Sequence, residues 1–183
     1  MRVVIGVSGG SGAPIAVKLL GYLKDHETHL VISDSGKKVL LQETGLKPEE
    51  VYTSATYHYD DSDISEKISS GSFIFDVCVI VPCSMSSLAK ISAGISDSLI
   101  TRVAAVSLKE RRKLILVPRE TPLSTIALEN MLHLSRNGAI IAPIMPGFYN
   151  NPKSVDDIVS FTASRIMDLM GIPNDISKRW RED

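Results

Sequence analysis

Apolar positions in the 183-residue chain fall into short, nearly uninterrupted runs that alternate with longer segments of mixed polarity. The runs are rich in β-branched residues and predict strands at roughly residues 2–7, 29–33, 77–82, 113–118 and 139–144. Runs such as Val-Cys-Val-Ile-Val at 77–81 show almost no polar alternation, so we expect both faces of these strands to be buried. Such strands are typical of a parallel sheet covered by helices on both sides.

Helices are predicted between the strands, where apolar residues recur at three- and four-residue spacing. This spacing is shown by Ile15, Leu19, Leu20 and Leu23 after the first strand, and by Val155, Ile158, Val159, Ile166 and Leu169 near the end of the chain. Pro14 suits a first helical turn, because its missing N–H would have no helical partner there. The polar stretch 47–71 is expected to be a surface excursion without chemistry.

These patterns predict an α/β fold of three layers, with a central parallel sheet between helices. Hydrophobic residues make up 44% of the chain and charged residues 22%, which is ordinary for a globular protein. Because a chain of 183 residues buries one substantial core but rarely two, we expect a single domain over residues 1–183.

Charge and cysteine content narrow the function classes. A net charge of −1, with Lys and Arg spread along the chain, argues against a nucleic-acid-binding protein. The basic cluster at 109–113 is interrupted by Glu110 and is expected to be a solvated helix end. Cys78 and Cys83 offer neither a disulfide framework nor a zinc site, which favours a reducing, cytoplasmic compartment. No apolar run is long enough to suggest a membrane protein.

The sequence Ser-Gly-Gly-Ser-Gly-Ala at 8–13 follows the first predicted strand and leads directly into a helix. Glycines there let the backbone approach a ligand, and N–H groups at the helix start attract an anion, so a phosphate site is predicted. The loop lacks the lysine of an ATP-binding P-loop and the G-x-G-x-x-G spacing of dinucleotide-binding folds. A mononucleotide such as FMN stays open, and so does a turn that binds nothing.

Three further segments are expected at the same edge of the sheet, because each follows a predicted buried strand. Pro-Cys-Ser-Met-Ser-Ser at 82–87 offers hydroxyl groups, although Ser84 is also suited simply to cap the next helix. Arg119 and Glu120 can hold a phosphate and move a proton, or can form an exposed ion pair. Tyr149, after the last predicted strand, is equally suited to plain packing.

Metal and hydrolase chemistry find little support in the sequence. The four histidines, at positions 26, 29, 58 and 133, show no convincing metal-ligand spacing with a third partner, so no metal is predicted. No Ser-His-acid order can be assembled from the chain. Cys83 is expected to be a small buried thiol rather than a nucleophile.

Six motifs resemble, in order, those of the UbiX-type flavin prenyltransferases, a family long labelled as aromatic-acid decarboxylases. They are the 8–13 loop, Pro-Cys-Ser at 82–84, Leu-Lys-Glu-Arg-Arg at 108–112, Val-Pro-Arg-Glu-Thr-Pro at 117–122, Leu-Glu-Asn-Met at 128–131 and Pro-Gly-Phe-Tyr at 146–149. The resemblance covers nearly the whole chain, as far as Arg179 and Trp180. It implies a flavoprotein with a Rossmann-like or flavodoxin-like sheet.

The resemblance also implies an activity and its partners. Enzymes of this family join the dimethylallyl group of dimethylallyl phosphate to N5 of reduced FMN and then close a ring through C6. The prenylated FMN serves a partner family of UbiD-type decarboxylases, which act on ubiquinone precursors or aromatic acids. Family members assemble as large homo-oligomers, commonly dodecamers, with active sites at subunit contacts.

Position by position, the resemblance implies roles for particular residues. The flavin would be contacted by Gly9, Gly10, Ser11, Ser33, Ser84, Met85, Ser86, Ser87 and Arg119. The allylic phosphate would be surrounded by Arg102, Lys109, Arg119, Glu120, Tyr149 and Arg165, whose cations would replace magnesium. Ser11 and Glu120 would pass the proton that releases phosphate, and Glu43 would take the proton lost from flavin C6. With Lys109, these three residues form the predicted catalytic set.

One departure from the family pattern and two alternative functions stay open. Ala127 stands where the family often has histidine, and we expect a changed pocket wall or subunit interface without loss of activity. The residues at 88–94 are compatible with packing between subunits or within the core. A flavin-dependent cysteine decarboxylase of the related group would lack the set of Lys109, Arg119, Glu120 and Tyr149. A non-enzymatic FMN carrier would be more acidic than this chain.

Overall fold

The computed structural model describes residues 1–180. Its strands are β1 (Arg2–Val7), β2 (Glu27–Ile32), β3 (Tyr57–Asp60), β4 (Val77–Cys83), β5 (Lys113–Pro118) and β6 (Ile140–Ile141). Its α-helices are α1 (Ala13–Tyr22), α2 (Asp34–Thr44), α3 (Pro48–Tyr52), α4 (Met85–Ser92), α5 (Leu99–Lys109), α6 (Thr125–Arg136) and α7 (Val155–Met170). A short 3-10 helix spans Lys67–Ser69.

The strands of residues 1–180 form one six-stranded sheet in the order β3-β2-β1-β4-β5-β6, and each neighbouring pair is parallel. Successive side chains of a strand point to opposite faces, so β1 contributes to two cores. Ile5 and Val7 pack with apolar residues of α1 and α7, whereas Val4 packs with those of α4, α5 and α6. The predicted three-layer α/β fold with a central parallel sheet is confirmed.

The order of the strands defines one special place in the sheet. β1 and β4 are neighbours, but the chain leaves β1 toward β2 on one side and leaves β4 toward β5 on the other. The loops after β1 and β4 therefore diverge from one point at the carboxyl edge, the edge at which the strands end. Open α/β sheets bind their ligands at such a point. The opposite edge, where the strands begin, is called the amino edge below.

The structure departs from the sequence prediction at both margins of the sheet. The stretch 47–71, expected to be a surface excursion, contains α3 and the edge strand β3. β3 lacks an apolar run because three of its four residues are exposed and only Tyr59 is buried. At the other margin β6 covers Ile140–Ile141, although a strand is predicted over 139–144. Val155, expected on the apolar face of α7, is 76% exposed. The remaining strands lie within two residues of their predicted bounds.

Most of the longer helices begin after a serine that accepts a hydrogen bond from a backbone N–H of the first turn. These N-cap residues are Ser33, Ser84, Ser98, Ser124 and Ser154. Each such cap typically stabilises a helix by about 1 kcal/mol. Helix α1 differs, because its N-cap residue is Gly12, which has no side chain to offer. No helix among residues 1–180 is both long and apolar enough to cross a membrane.

His29 of β2 is a fully buried titratable side chain in the outer part of the sheet. Its Nδ1 lies 2.7 Å from the hydroxyl of Tyr59, and its Nε2 lies 3.0 Å from Oε1 of Glu27. Burial lowers the pKa of His29 below its ordinary value, although the carboxylate of Glu27 partly opposes this effect. The folded protein therefore takes up a proton at this site less readily than the unfolded chain does.

This difference predicts how stability depends on pH. Between the ordinary imidazole pKa and the lower pKa of folded His29, the unfolded chain binds the extra proton, so the free energy of unfolding falls as pH falls. We expect the free energy of unfolding, measured by urea unfolding, to fall as pH is lowered through the ordinary imidazole pKa, by at most about 1.4 kcal/mol per pH unit. His29→Gln should remove most of this dependence, whereas His133→Gln, at an exposed position of α6, should retain it. Equal pH dependence in both variants would contradict the assignment.

Candidate active site

The loops after β1 and β4 are joined by a single buried side chain, Ser8. Its hydroxyl donates to the carbonyl oxygen of Pro82 at 3.0 Å and accepts from the backbone N–H of Ser84 at 2.7 Å. The backbone N–H of Ser8 donates to the same Pro82 carbonyl oxygen at 3.1 Å. The two loops that diverge from the carboxyl edge are thus held together. Ser8 belongs to the predicted loop motif, but no role of its own is predicted from the sequence.

Glycines of the 8–13 loop are required in part by packing within the chain. A Cβ built on Gly9 would lie 2.6 Å from the side chain of Ser35, and one on Gly12 would lie 2.6 Å from Cδ1 of Ile144. Gly12 also has φ of 121°, in the region that favours glycine. A Cβ on Gly10 would meet Pro82 at 3.4 Å, an ordinary contact. Of these three glycines, Gly10 is therefore the one at which a side chain would not clash with neighbouring protein atoms.

The N-terminus of α1 is occupied by a carboxylate from α2. Oε2 of Glu43 accepts from the backbone N–H groups of Gly12 and Ala13, each at 2.9 Å. A negative charge is favourable at this end of the helix dipole. The expectation that N–H groups at the start of α1 await an anion is therefore wrong for these two donors. A ligand at this loop is expected to contact residues 9–11 instead.

The predicted flavin-contacting serines lie where other helices begin at the carboxyl edge. Ser33 caps α2 by accepting from the N–H of Gly36 at 3.1 Å. Ser84 caps α4 by accepting from the N–H of Ser87 at 3.1 Å, and its hydroxyl donates to that of Ser87 at 3.0 Å. The capping role foreseen for Ser84 is confirmed. Met85 is partly buried against the core, and Ser86 is exposed.

Arg119 and Glu120 extend the same edge by one strand. Cys83 of β4 pairs with Pro118 of β5, so the residues that follow, Ser84 and Arg119, occupy adjacent positions. Arg119 and Glu120 are both exposed. Oε1 of Glu120 accepts from the N–H of Thr121 at 3.1 Å, and no ion pair with Arg119 is found among residues 1–180. Their side chains project from the edge that the loops of β1 and β4 define.

Tyr149 and Arg165 meet in a cavity beside β6 and α7, with a volume of about 740 Å³. Tyr149 packs edge to face against Phe161 and Trp180, with ring centroids 5.8 and 5.2 Å away. Nη1 of Arg165 donates to Asp168 at 2.6 Å. The cavity is linked to the carboxyl edge by the segment after β6, since Ile144 of that segment abuts Gly12. Packing explains the position of Tyr149, as the sequence allowed, but its 47% exposure leaves the ring accessible.

Lys109 lies at the amino edge of the sheet, whereas Arg119 and Glu120, with which it is predicted to bind phosphate, lie at the carboxyl edge. It ends α5 just before β5 begins, at the amino edge, and Nζ is 2.5 Å from Oε1 of Glu110. β5 has six residues, which separate its two ends by roughly 16 Å. Arg102, in the first half of α5, donates from Nε to the carbonyl oxygen of Ser69 at 3.2 Å. A single chain therefore does not gather Lys109 with Arg119.

The residues around Lys109 form a positively charged region at the amino edge. The cavity there has a volume of about 760 Å³ and is lined by Ser107, Leu108, Lys109, Arg111, Arg112, Lys113, Arg136, Asn137 and Gly138. The guanidinium of Arg112 donates to the carbonyl oxygens of Gly71 and Phe73, at 2.5 and 2.7 Å. The basic cluster at 109–113 is thus partly anchored to a neighbouring loop, beyond the solvated helix end that the sequence suggests.

The two cysteines are buried, and their protonation state follows from that burial. Cys78 and Cys83 are buried free thiols, and burial raises the pKa of each to about 12, so neither is a thiolate at neutral pH. The expectation of a buried structural Cys83 is confirmed. Within residues 1–180, no group of three His, Cys, Asp or Glu side chains is arranged to hold a metal ion.

Known proteins resemble the chain over nearly its full length. Residues 1–167 match the family model described as Flavoprotein. The flavin prenyltransferase UbiX of Thermoplasma acidophilum is 59% identical over 180 residues, which cover 98% of this chain and 100% of the relative. The crystal structure of AnUbiX (PadA1) in complex with FMN and dimethylallyl pyrophosphate has a TM-score of 0.97 at 42% identity, covering 98% of this chain and 97% of that one.

A dodecameric FMN-dependent Ubix-like decarboxylase from Escherichia coli O157:H7 has a TM-score of 0.97 at 46% identity, covering 99% of this chain and 100% of that one. These similarities cover nearly the whole chain. They agree with the resemblance carried by the six sequence motifs. The chain therefore belongs to the UbiX-type flavin prenyltransferases, within the wider Flavoprotein family.

Proposed function

We propose that this protein joins the dimethylallyl group of dimethylallyl phosphate to N5 and C6 of reduced FMN. The observation that carries the proposal is the gathering of the 8–13 loop, the start of α4 and the Arg119–Glu120 pair at one carboxyl edge. This edge belongs to a chain of the UbiX family, one member of which holds FMN and dimethylallyl pyrophosphate together. Prenylated FMN, the product, serves a UbiD-type decarboxylase.

The carboxyl edge fits a flavin mononucleotide. A side chain at position 10 would not clash with neighbouring protein atoms, so packing does not explain why the residue is glycine. A glycine of this kind is expected where a ligand lies against the backbone. Reduced FMN, when bound, supplies the electron-rich N5 and C6 that accept the allyl group. The chain supplies the backbone of Gly9 and Gly10, the apolar side chain of Met85 and the cation of Arg119. Hydroxyl groups come from Ser11, Ser33, Ser84, Ser86 and Ser87.

Positive side chains take the place of a metal in this proposal. Transfer breaks the C–O bond of the allylic phosphate, and the bonding electron pair leaves with the phosphate. Arg119, Arg165 and Lys109 stabilise the charge that develops on the departing group. Tyr149 donates to a phosphate oxygen, and the rings of Phe161 and Trp180 pack edge to face against it and hold its position.

Proton movements are assigned to three further side chains. Ser11, in the loop after β1, and Glu120, in the segment after β5, are proposed to pass a proton to the departing phosphate. Glu43 takes the proton lost from flavin C6. Its carboxylate is already fixed by the N–H groups of Gly12 and Ala13, at 2.9 Å each, so the base and the loop keep one relative position. Glu43 thus has a structural task beside the chemical one.

The separation of Lys109 from Glu120 is the reason to propose a homo-oligomer, with a dodecamer as the expected form. Within one chain Lys109 and Glu120 lie at opposite edges of the sheet, so a complete site takes Lys109 from another subunit. Exposed apolar side chains on α6 support such contacts, since Ile126, Leu128 and Leu132 are each at least half exposed. A dodecamer is the form of the Escherichia coli relative.

Two sequence features bear on this assembly. Ala127, in place of the family histidine, is 8% exposed and lies between exposed Ile126 and Leu128, so it packs mainly against its own chain. Leu88 and Ile91 of the 88–94 segment are likewise core residues. We therefore assign subunit contacts to the exposed side chains of α6 rather than to these buried positions.

The alternative functions have less support. A cysteine decarboxylase or a simple FMN carrier would not need Lys109, Arg119, Glu120 and Tyr149, and the full-length relatives are named prenyltransferases. We also propose that residues 1–183 act as one flavin-binding domain. A reducing, cytoplasmic compartment is proposed because both cysteines are free thiols.

The direct test is prenylation of the flavin. Purified protein, incubated anaerobically with reduced FMN and dimethylallyl phosphate in the presence of a chelator, should yield a flavin heavier by one dimethylallyl unit. Mass spectrometry of the released flavin measures this, and dimethylallyl diphosphate in a parallel reaction identifies the preferred donor. Unchanged flavin with both donors, while FMN binding is intact, would favour the cysteine decarboxylase or the carrier.

Glu120→Gln tests the proton transfer. Removing a positioned acid–base group should lower the turnover rate by roughly 100-fold, while FMN binding, followed by flavin fluorescence, stays near that of the wild type. Glu49→Gln is the matched control, because Glu49 is an exposed acid in the first turn of α3. Full turnover by Glu120→Gln with FMN bound would remove Glu120 from the mechanism.

Mixed assemblies test whether a site draws on two subunits. Lys109→Ala and Glu120→Gln chains should each be nearly inactive alone. If they are unfolded and reassembled together in equal amounts, random pairing should leave about one quarter of the sites with both native side chains. We therefore expect about a quarter of the wild-type rate in the mixture. Activity no greater than the sum of the separate variants would place both residues in one chain's site or outside it.

A further inference from the structure

After α7 the chain folds back along that helix as a segment of residues 172–180, called the C-terminal segment here. Several polar contacts hold it in place. The hydroxyl of Ser164 donates to Oδ1 of Asn174 at 2.8 Å, and the hydroxyl of Ser177 donates to that of Ser164 at 2.9 Å. Ile172 is buried in the core. The segment ends, within the described residues, at Trp180, whose ring packs 5.2 Å from that of Tyr149.

Asp168 is the common acceptor that joins this segment to α7. Its Oδ2 accepts from Nη1 of Arg165 at 2.6 Å, and its Oδ1 accepts from Nη2 of Arg179 at 2.9 Å and from Nδ2 of Asn174 at 3.0 Å. The side chain is 17% exposed. Burial alone would raise the pKa of Asp168, but the hydrogen bond and charge of Arg179, together with Arg165, hold it below its ordinary value.

We propose that Asp168 is a positioning residue for substrate phosphate: it fixes Arg165 at the cavity wall and ties the C-terminal segment over that cavity. This inference rests on the proposed function, which assigns Arg165 and Tyr149 to the allylic phosphate. Asp168 itself does not touch the substrate in this proposal. None of the six sequence motifs includes Asp168.

A fixed guanidinium binds phosphate more tightly than a mobile one. The side chain of Arg165 is 54% exposed, and without a partner it would sample many rotamers that binding must then restrict. The bond from Nη1 to Asp168 removes much of that freedom before substrate arrives. Two arginines share one carboxylate, so this group keeps a net positive charge of one at the cavity, which suits a phosphate anion.

The carboxylate of Asp168 also links Arg165 of α7 to the C-terminal segment, and both line the cavity. Arg179 and Trp180 are neighbours in the C-terminal segment, and both Trp180 and Arg165 line the cavity with Tyr149. Oδ2 of Asp168 accepts from Arg165 at 2.6 Å and from Nη1 of Arg179 at 3.3 Å, and Oδ1 accepts from Nη2 of Arg179 at 2.9 Å. The orientation of the phosphate-binding cation and the position of the indole are therefore set by one group. Binding of phosphate by Arg165 is therefore expected to change the position of Trp180.

Kinetics provide the first arm of the test. Asp168→Asn should raise KM for dimethylallyl phosphate by roughly 10-fold, the effect of losing one hydrogen bond to a charged group, and should change kcat by less than about twofold. Asp168→Glu, which keeps the charge, should recover part of the loss. Asp156→Asn is the matched control, because Asp156 lies on the same helix and pairs with Lys18, away from the cavity. Unchanged KM in Asp168→Asn, or equal effects in the two Asn variants, would overturn the proposal.

Fluorescence provides a second arm that needs no turnover. Trp180 is the one tryptophan in the sequence, so its emission reports on the cavity alone. Dimethylallyl phosphate, added without flavin, should change this emission in a saturable way, with a dissociation constant roughly 10-fold higher for Asp168→Asn. A merely structural Asp168 would alter thermal stability without this shift in affinity, and that result would overturn the proposal.

The two arms separate failure of this inference from failure of the proposed function. If the wild type does not prenylate FMN but the fluorescence titration gives the expected difference, the prenyltransferase proposal fails and the positioning role of Asp168 stands. If the wild type prenylates FMN and neither KM nor the titration changes in Asp168→Asn, the positioning role fails and the prenyltransferase proposal stands.

Discussion

The buried hydroxyl of Ser8 is the contact on which the organisation of the candidate site depends. The sheet sends the loops after β1 and β4 in opposite directions, and Ser8 bonds the start of one loop to the start of the other through Pro82 and Ser84. A polar group left unpaired at this depth typically costs about 1–3 kcal/mol, so the contact is strongly favoured. Helices α1 and α4 begin just beyond it, and their first turns therefore keep a fixed relative position.

The charged side chains assigned to the site lie in three places, and within a single chain Lys109 is separated from the others. Arg119 and Glu120 project from the carboxyl edge, Arg165 and Tyr149 line the cavity beside α7, and Lys109 lies at the amino edge. Like charges kept apart in this way do not destabilise the folded subunit by mutual repulsion. In the proposed homo-oligomer, Lys109 would join the other cations on one small anion at a contact between subunits, and the anion would compensate their charge.

The fold could be predicted from the sequence wherever a strand is buried on both faces, because only there does the chain carry an uninterrupted apolar run. β3 and β6 are not predicted with their observed bounds, because β3 is an edge strand with one buried residue and β6 is two residues long. The loops at the carboxyl edge could be predicted because each follows such a run. Their position follows from parallel pairing alone, without knowledge of any distant contact.

Other features of the site depend on contacts between residues far apart in the chain. Glu43 accepts hydrogen bonds from two N–H groups at the start of α1, about thirty residues earlier in the chain, and no local sequence pattern predicts that contact. Asp168 is similarly inconspicuous in the sequence, since a single acid near the end of an amphipathic helix is ordinary. The separation of Lys109 from Arg119 had a usable signal: a helix that ends just before a parallel strand ends at the amino edge, whereas residues after the strand lie at the other.

The packing of Gly9 against Ser35 and of Gly12 against Ile144 has a consequence for how such sequences are interpreted in genomes. Both glycines are needed by the scaffold whether or not any ligand binds. A descendant that lost all catalytic ability would still be selected to keep them, and a motif search would still report a nucleotide-binding loop. The exposed pair of Arg119 and Glu120 has no such structural protection, so its loss or retention is the better indicator of whether the chemistry survives.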